Sequence, residues 1–130
     1  EQKKLTLDQI FQLQRLKTGE LFRFSCIAPC ILSGRFNEIK IFEDFALKLG
    51  LAFQIKDDLL DIEGSTEEIG KKTQKDSSRG KETLLSLMGK KDAYKKSEEL
   101  INDSLKILEP FGTKADTLVK LTKFIISRKK

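Results

Sequence analysis

An all-α fold, a helical bundle, follows from three features of the sequence. Apolar residues recur at helical spacing through the middle of the chain. Tryptophan is absent and there are only two prolines, while Leu, Ile, Lys and Glu abound. No segment keeps the period-two alternation of a half-buried strand. With 130 residues, 38% of them hydrophobic, the expectation is a single helical domain over residues 1–130, burying roughly 60% or more of its unfolded surface.

In chain order, Thr6 and Gln9 form a capping box for a first helix from about Leu7 to Leu32, ended by Gly34 and kinked at Pro29. Lys17, Thr18 and Gly19 fall in its middle. A glycine there costs about 1 kcal/mol relative to alanine, so it marks the close approach of a packed helix or of a ligand. The second helix, from about Asn37 to Ile62, carries Phe42, Phe45, Leu49, Phe53 and Leu59 over a wide arc; it should be central and buried on most sides. Gly64 should end it. Residues 64–80 are rich in Gly, Ser and Lys, with a capping box at Ser65 and Glu68 that suits one helical turn, and read as a mobile lid. Thr83 to Met88 makes a short helix ended by Gly89. Asp92 caps a long helix to about Leu108 with Ala93, Leu100, Ile101, Leu105 and Leu108 inward, and Pro110 and Gly112 stop it. A last helix from about Lys114 to Ser127 packs Leu118, Leu121, Phe124 and Ile125.

On the second helix, about 100° per residue puts Gln54, Asp57, Asp58 and Asp61 on one stripe at i, i+3, i+4 and i+7. Three carboxylates so placed repel one another, and near a helix C-terminus each also meets an unfavourable dipole of roughly 0.3–1 kcal/mol. Such a stripe is either a solvated face or a ligand set. Solvated faces mix Lys with Glu; a stripe made only of Asp, a poorer helix former with a short carboxylate, suits a hard cation such as Mg²⁺. Gln54, one turn earlier, can hydrogen-bond a ligand Asp or a neighbouring backbone group.

Charge and composition narrow the chemistry. The net charge of +5 and the pI near 9.2 point to anionic partners. Lys71, Lys72, Lys75, Arg79 and Lys81 follow the Asp helix, and Arg128, Lys129 and Lys130 close the sequence, with no interleaved aromatics to stack bases. Nucleic acid is therefore not the expected partner. A solvated loop and a diphosphate site both fit the basic run; a diphosphate beside a Mg²⁺ stripe accounts for both signs of charge. The absence of histidine excludes imidazole-based dyads and triads and His-containing zinc sites. Cys26 and Cys30, at i and i+4, read as buried reduced thiols, which suits a reducing, cytoplasmic compartment. No run of 18 apolar residues suggests a transmembrane helix.

The segment Gly50-Leu51-Ala52-Phe53-Gln54-Ile55-Lys56-Asp57-Asp58-Leu59-Leu60-Asp61 resembles the second aspartate-rich motif of the trans-isoprenyl diphosphate synthases, in particular the bacterial farnesyl and geranylgeranyl diphosphate synthases. Arg15-Leu16-Lys17-Thr18-Gly19 is similar to that family's Lys-Thr-Gly segment. Gly70-Lys71 and Lys81 are similar to its diphosphate-facing lysines, and residues 124–130 to its basic C-terminus. The sequence departs from the family at Thr73-Gln74-Lys75-Asp76, where relatives commonly have Gly and then Ser, Thr or Ala before the Asp.

The resemblance implies the isoprenoid synthase fold and a Mg²⁺-dependent prenyltransferase that condenses isopentenyl diphosphate with an allylic diphosphate. It implies metal ligation by Asp57, Asp58 and Asp61. Lys17, Thr18 and Lys71 would act on the allylic diphosphate, and Gln54, Lys81 and Arg128 would contribute to substrate binding, Arg128 on the isopentenyl diphosphate side. A homodimer is also implied. Family members are about twice as long and carry a first aspartate-rich motif in the half not represented here. The chain therefore reads as a C-terminal half, expected to be inactive in condensation by itself, whether truncated, proteolysed or separately encoded. Three rival readings are a terpene cyclase-like relative, a non-catalytic subunit modulating a partner synthase, and a plain helical scaffold with an acidic face.

Overall fold

The computed structural model describes residues 6–69 and 84–128, and all its elements there are helical. Thr6 caps α1 (Leu7–Gln14) through the reciprocal pair expected from sequence. Thr6 Oγ1 accepts from the Gln9 N–H at 3.3 Å, and Gln9 Oε1 accepts from the Thr6 N–H at 2.9 Å. The chain then passes through a π-helical turn at Arg15–Gly19 and continues as α2 (Glu20–Leu32). The π turn thus falls around Lys17 and Thr18, and α2 continues through Pro29, which has no N–H to give to the preceding turn. Single π turns of this kind widen a helix by one residue and recur at functional sites.

A 3₁₀ turn at Phe36–Glu38 leads into α3 (Ile39–Ile69). The expected end at Gly64 is overturned, and with it the single separate turn at Ser65 and Glu68: the helix runs through both. Tertiary contacts just before the glycine outweigh its propensity penalty of about 1 kcal/mol. Glu63 Oε1 accepts from Tyr94 Oη at 2.5 Å and pairs with Lys90 Nζ at 3.0 Å. Asp61 therefore stands two turns inside the helix. The dipole penalty acts only in the last turn, so mutual repulsion and burial are the main costs of the Asp stripe.

α4 (Leu84–Met88) is followed by Gly89 at φ +80°, and α5 (Lys90–Leu108) starts immediately beyond it. The cap expected at Asp92 is corrected: Gly89 occupies the cap position and Asp92 lies in the first turn, where a carboxylate favours the helix N-terminus. At its other end α5 stops at Leu108, where the sequence placed its end, ahead of Pro110 and Gly112. A 3₁₀ segment, Glu109–Ala115, bends at Gly112 (φ +54°) into α6 (Asp116–Ser127).

α3 is the central element, and its most extensive contact is with α5. Phe45, Leu49, Ala52, Ile55 and Leu59 are almost fully buried. They share one core with Ala93, Leu100, Ile101 and Leu108 of α5, Ile10 of α1, Leu85 of α4 and Ile125 of α6. Leu105 is only half-buried, and the expected inner face of α6 is partly wrong. Leu121 and Phe124 are 49% and 59% exposed, while Thr122 is buried, its hydroxyl donating to the Leu118 carbonyl at 2.7 Å. That local bond lets a polar residue take an inward position. Leu16, Leu21, Phe24 and Leu32 leave an apolar outer surface on the first helical stretch. Cys26 and Cys30 are free, with the Cys30 thiol donating to the Cys26 carbonyl at 3.4 Å. Among the described residues no helix is long and apolar enough to cross a membrane.

Candidate active site

The seam between α1–α2 and α3 is closest where Gly50 faces the Gly19 backbone. A Cβ on Gly50 would lie 3.3 Å from the Gly19 Cα and 3.4 Å from Phe22, so a larger residue at 50 would push the two helices apart by a few tenths of an ångström. Packing thus accounts for Gly50; a Cβ on Gly19 itself would meet only ordinary contacts, 3.5 Å to the Arg15 side chain and 3.8 Å to Leu47, so both readings of Gly19 stay open. Arg23 ties the same seam, its Nε donating to Glu43 Oε1 at 2.6 Å. The close approach brings the Lys-Thr-Gly segment against the Gln54–Asp58 face. Thr18 Oγ1 donates to Gln54 Oε1 at 3.1 Å, and Gln54 Nε2 donates to Asp58 Oδ1 at 3.2 Å. Gln54 thus relays position from the π turn to a carboxylate.

Asp58 carries the clearest electrostatic signal. Burial pushes its carboxyl above the ordinary carboxylate value, aided by the negative charges of Asp61 and Asp57 and opposed by the Gln54 hydrogen bond and by Lys17. Its Oδ2 is buried with no hydrogen-bond partner. A partnerless anionic oxygen beside two further carboxylates fits a hard cation, which would satisfy the lone pairs and offset the repulsion. Asp61 is exposed. Among the described residues no three carboxylates or thiols are grouped so as to hold a metal ion, and Asp57, Asp58 and Asp61 do not do so by themselves.

Asp57 is held by the other end of the chain. Arg128 Nη2 donates to Asp57 Oδ1 and, at 3.3 Å, to the Phe53 carbonyl, while its guanidinium lies 4.1 Å from the centre of the Phe53 ring. Phe53 in turn packs on Phe22 at 5.5 Å between ring centres. Arg128 is thus brought to the Asp stripe. Lys17, exposed on the π turn, is near enough to oppose the rise in Asp58's proton affinity. Lys71 and Lys81, with residues 70–80 of the expected lid and Lys129 and Lys130, lie outside the described residues.

A family model for polyprenyl synthetase matches residues 1–121. The chain belongs to the polyprenyl synthetase family. It is 37% identical to a farnesyl diphosphate synthase of Micrococcus luteus and 35% identical to one of Escherichia coli K12, in each case over the whole of this chain and 45% of the relative. An apo crystal structure of an FPP/GFPP synthase from Zymomonas mobilis superposes with a TM-score of 0.80 at 34% identity, covering 96% of this chain and 40% of that one. The isoprenoid synthase fold expected from sequence is thereby established. The chain spans a little under half the length of the curated relatives it matches.

Nothing in the sequence pattern singles out Gln14. It lies one turn before Lys17 and Thr18, and its Oε1 is buried without a partner, as are Asp58 Oδ2 and Arg128 Nε. Its spacing to Thr18 was the only available hint; a glutamine on an amphipathic helix otherwise reads as surface. Tyr94 anchors Glu63 beyond the Asp stripe, a pairing across 31 residues that no local pattern indicates.

Proposed function

We propose that this chain provides the diphosphate- and cation-binding side of a short-chain prenyltransferase of the farnesyl diphosphate synthase type, which condenses isopentenyl diphosphate with an allylic diphosphate. The observation that carries the reading is the seam itself. It sets a lysine and a hydroxyl of the π turn against a glutamine-braced carboxylate whose second oxygen has no partner. Asp57, Asp58 and Asp61 would hold Mg²⁺, which when bound supplies electrostatic stabilisation of the departing diphosphate.

The chain's own residues do the rest. Lys17 brings a positive charge to the diphosphate oxygens, and Lys71 and Lys81 add to it from the segment after α3. Thr18 offers its hydroxyl proton once it releases Gln54, and Gln54 keeps Asp58 oriented by its amide. The half-buried Phe22–Phe53 pair gives the seam an apolar floor beside these polar groups. The released diphosphate takes the proton that ends the condensation, so no histidine is needed. A homodimer and a cytoplasmic location accompany this reading.

Calorimetry of inorganic diphosphate binding tests it. Binding is expected only with Mg²⁺ present and should be lost in Asp57→Ala and Asp58→Ala, with helical content unchanged by circular dichroism. Equal diphosphate binding in the presence of a chelator would overturn the reading.

A further inference from the structure

The contact between Arg128 and Asp57 joins the last described residue of the chain to the first carboxylate of the stripe. Three features make it more than a chance surface pair. The Arg128 side chain is only 19% exposed, against 38% for Asp57. Its guanidinium is fixed from two further directions, by the Phe53 carbonyl and by the Phe53 ring. Its backbone N–H closes the last turn of α6 on the Phe124 carbonyl at 2.9 Å, so the side chain leaves a fixed helix end. A planar guanidinium held by stacking loses less freedom on pairing than a lysine ammonium would.

We infer that Arg128 is a resident counter-cation for Asp57, a latch that competes with a divalent cation for the carboxylate. The inference rests on the proposed role of Asp57 as a ligand. One oxygen of Asp57 is already committed to a positive charge, so a metal ion arriving alone must displace the guanidinium or share the carboxylate with it. The buried Nε of Arg128 has no acceptor in the present arrangement. An anionic ligand entering with the cation offers that N–H an oxygen and gives the displaced guanidinium a new partner. Cation and anion then bind more readily together than the cation does alone, and the end of α6 reports on occupancy of the α3 stripe. Such coupling is reciprocal: whatever tightens the cation also loosens the latch.

The size of the effect follows from how often the latch is closed. A pair formed about 80–90% of the time raises the apparent dissociation constant for the lone cation about fivefold to tenfold. The test titrates Mn²⁺ into the 130-residue chain, following free Mn²⁺ by electron paramagnetic resonance, with and without inorganic diphosphate. Arg128→Gln should bind Mn²⁺ alone at least fivefold more tightly than the unaltered chain and should gain less from added diphosphate. Arg128→Lys, which keeps the charge and lacks the planar fork, should fall between the two. Thermal melts of both variants verify that the fold is retained, and the lysine variant preserves the test if the glutamine variant melts early. Failure of every form to take up Mn²⁺, even with diphosphate, would sink the cation-site reading itself. Clear Mn²⁺ uptake by the unaltered chain, with the same affinity in both variants, would overturn the latch alone.

Discussion

The two sides of α3 follow opposite rules. Toward α5 the helix presents Phe45, Leu49, Ala52, Ile55 and Leu59; of the two serines buried on the facing helix, Ser97 and Ser104, the Ser104 hydroxyl donates to the Leu100 carbonyl at 2.8 Å, and neither hydroxyl is among the buried polar atoms without a partner. Toward α1 and the end of α6 it presents Gln54, Asp57 and Asp58, and here lie the buried polar atoms that lack a partner among the described residues: Gln14 Oε1, Asp58 Oδ2 and Arg128 Nε. One side is complete without a ligand. The other holds neighbouring like charges and polar atoms without a partner, an arrangement that costs stability and that the proposed cation and anion would relieve.

Substitutions on the packed side should have the largest effect on folding. Phe45→Ala removes a fully buried ring that meets Phe42 edge-on at 6.5 Å. A loss of about 3–5 kcal/mol is expected in urea unfolding. A loss below about 1 kcal/mol would mean that the α3–α5 seam is not the structural core.

Gly50 stands where the two sides meet. Gly50→Val should cost about 1–3 kcal/mol by overpacking against Gly19 and Phe22. It should also weaken Mg²⁺-dependent diphosphate binding, because α2 must move away and carry Thr18 off Gln54. If the fold is destabilised and binding is unchanged, the glycine pair serves packing alone.

On the ligand side the sign reverses. Asp58→Asn removes a carboxylate that burial and its neighbours disfavour, and should raise stability by about 0.5–2 kcal/mol while abolishing Mg²⁺-dependent binding. The pH dependence follows from the same group. Folded Asp58 holds its proton more tightly than unfolded Asp58. Its contribution to stability is therefore greatest below the ordinary value of 3.8 and declines as pH rises through the raised one. Chemical denaturation across that window should show the decline in the unaltered chain and lose it in Asp58→Asn. A destabilised asparagine variant would mean that the carboxylate has a structural partner after all.

Much of this contrast was legible in advance, and the failures share a cause. The capping box at Thr6 and Gln9 formed as read because both partners lie within one turn. The α3 face was readable because burial follows the helical period. The end of α3 was misread because Gly64 is a local stop signal that Glu63 overrides through Tyr94 and Lys90 on another helix. Leu121 and Phe124 were misplaced because a 12-residue helix with apolar residues on several sides does not declare which side meets the core.

By itself the sequence determined the helical class, the Asp stripe with its glutamine, the free thiols and the family motifs, since each depends on residue type and spacing along one helix. Only the tertiary structure decided that Gly19 meets Gly50 and that Thr18 reaches Gln54. The same holds for the lone oxygen of Asp58 and for the placing of Arg128 on Asp57, 71 residues away. Periodicity fixes which residues share a face. Which face meets which, and which polar atoms are left without a partner, depends on packing between helices that no single segment encodes.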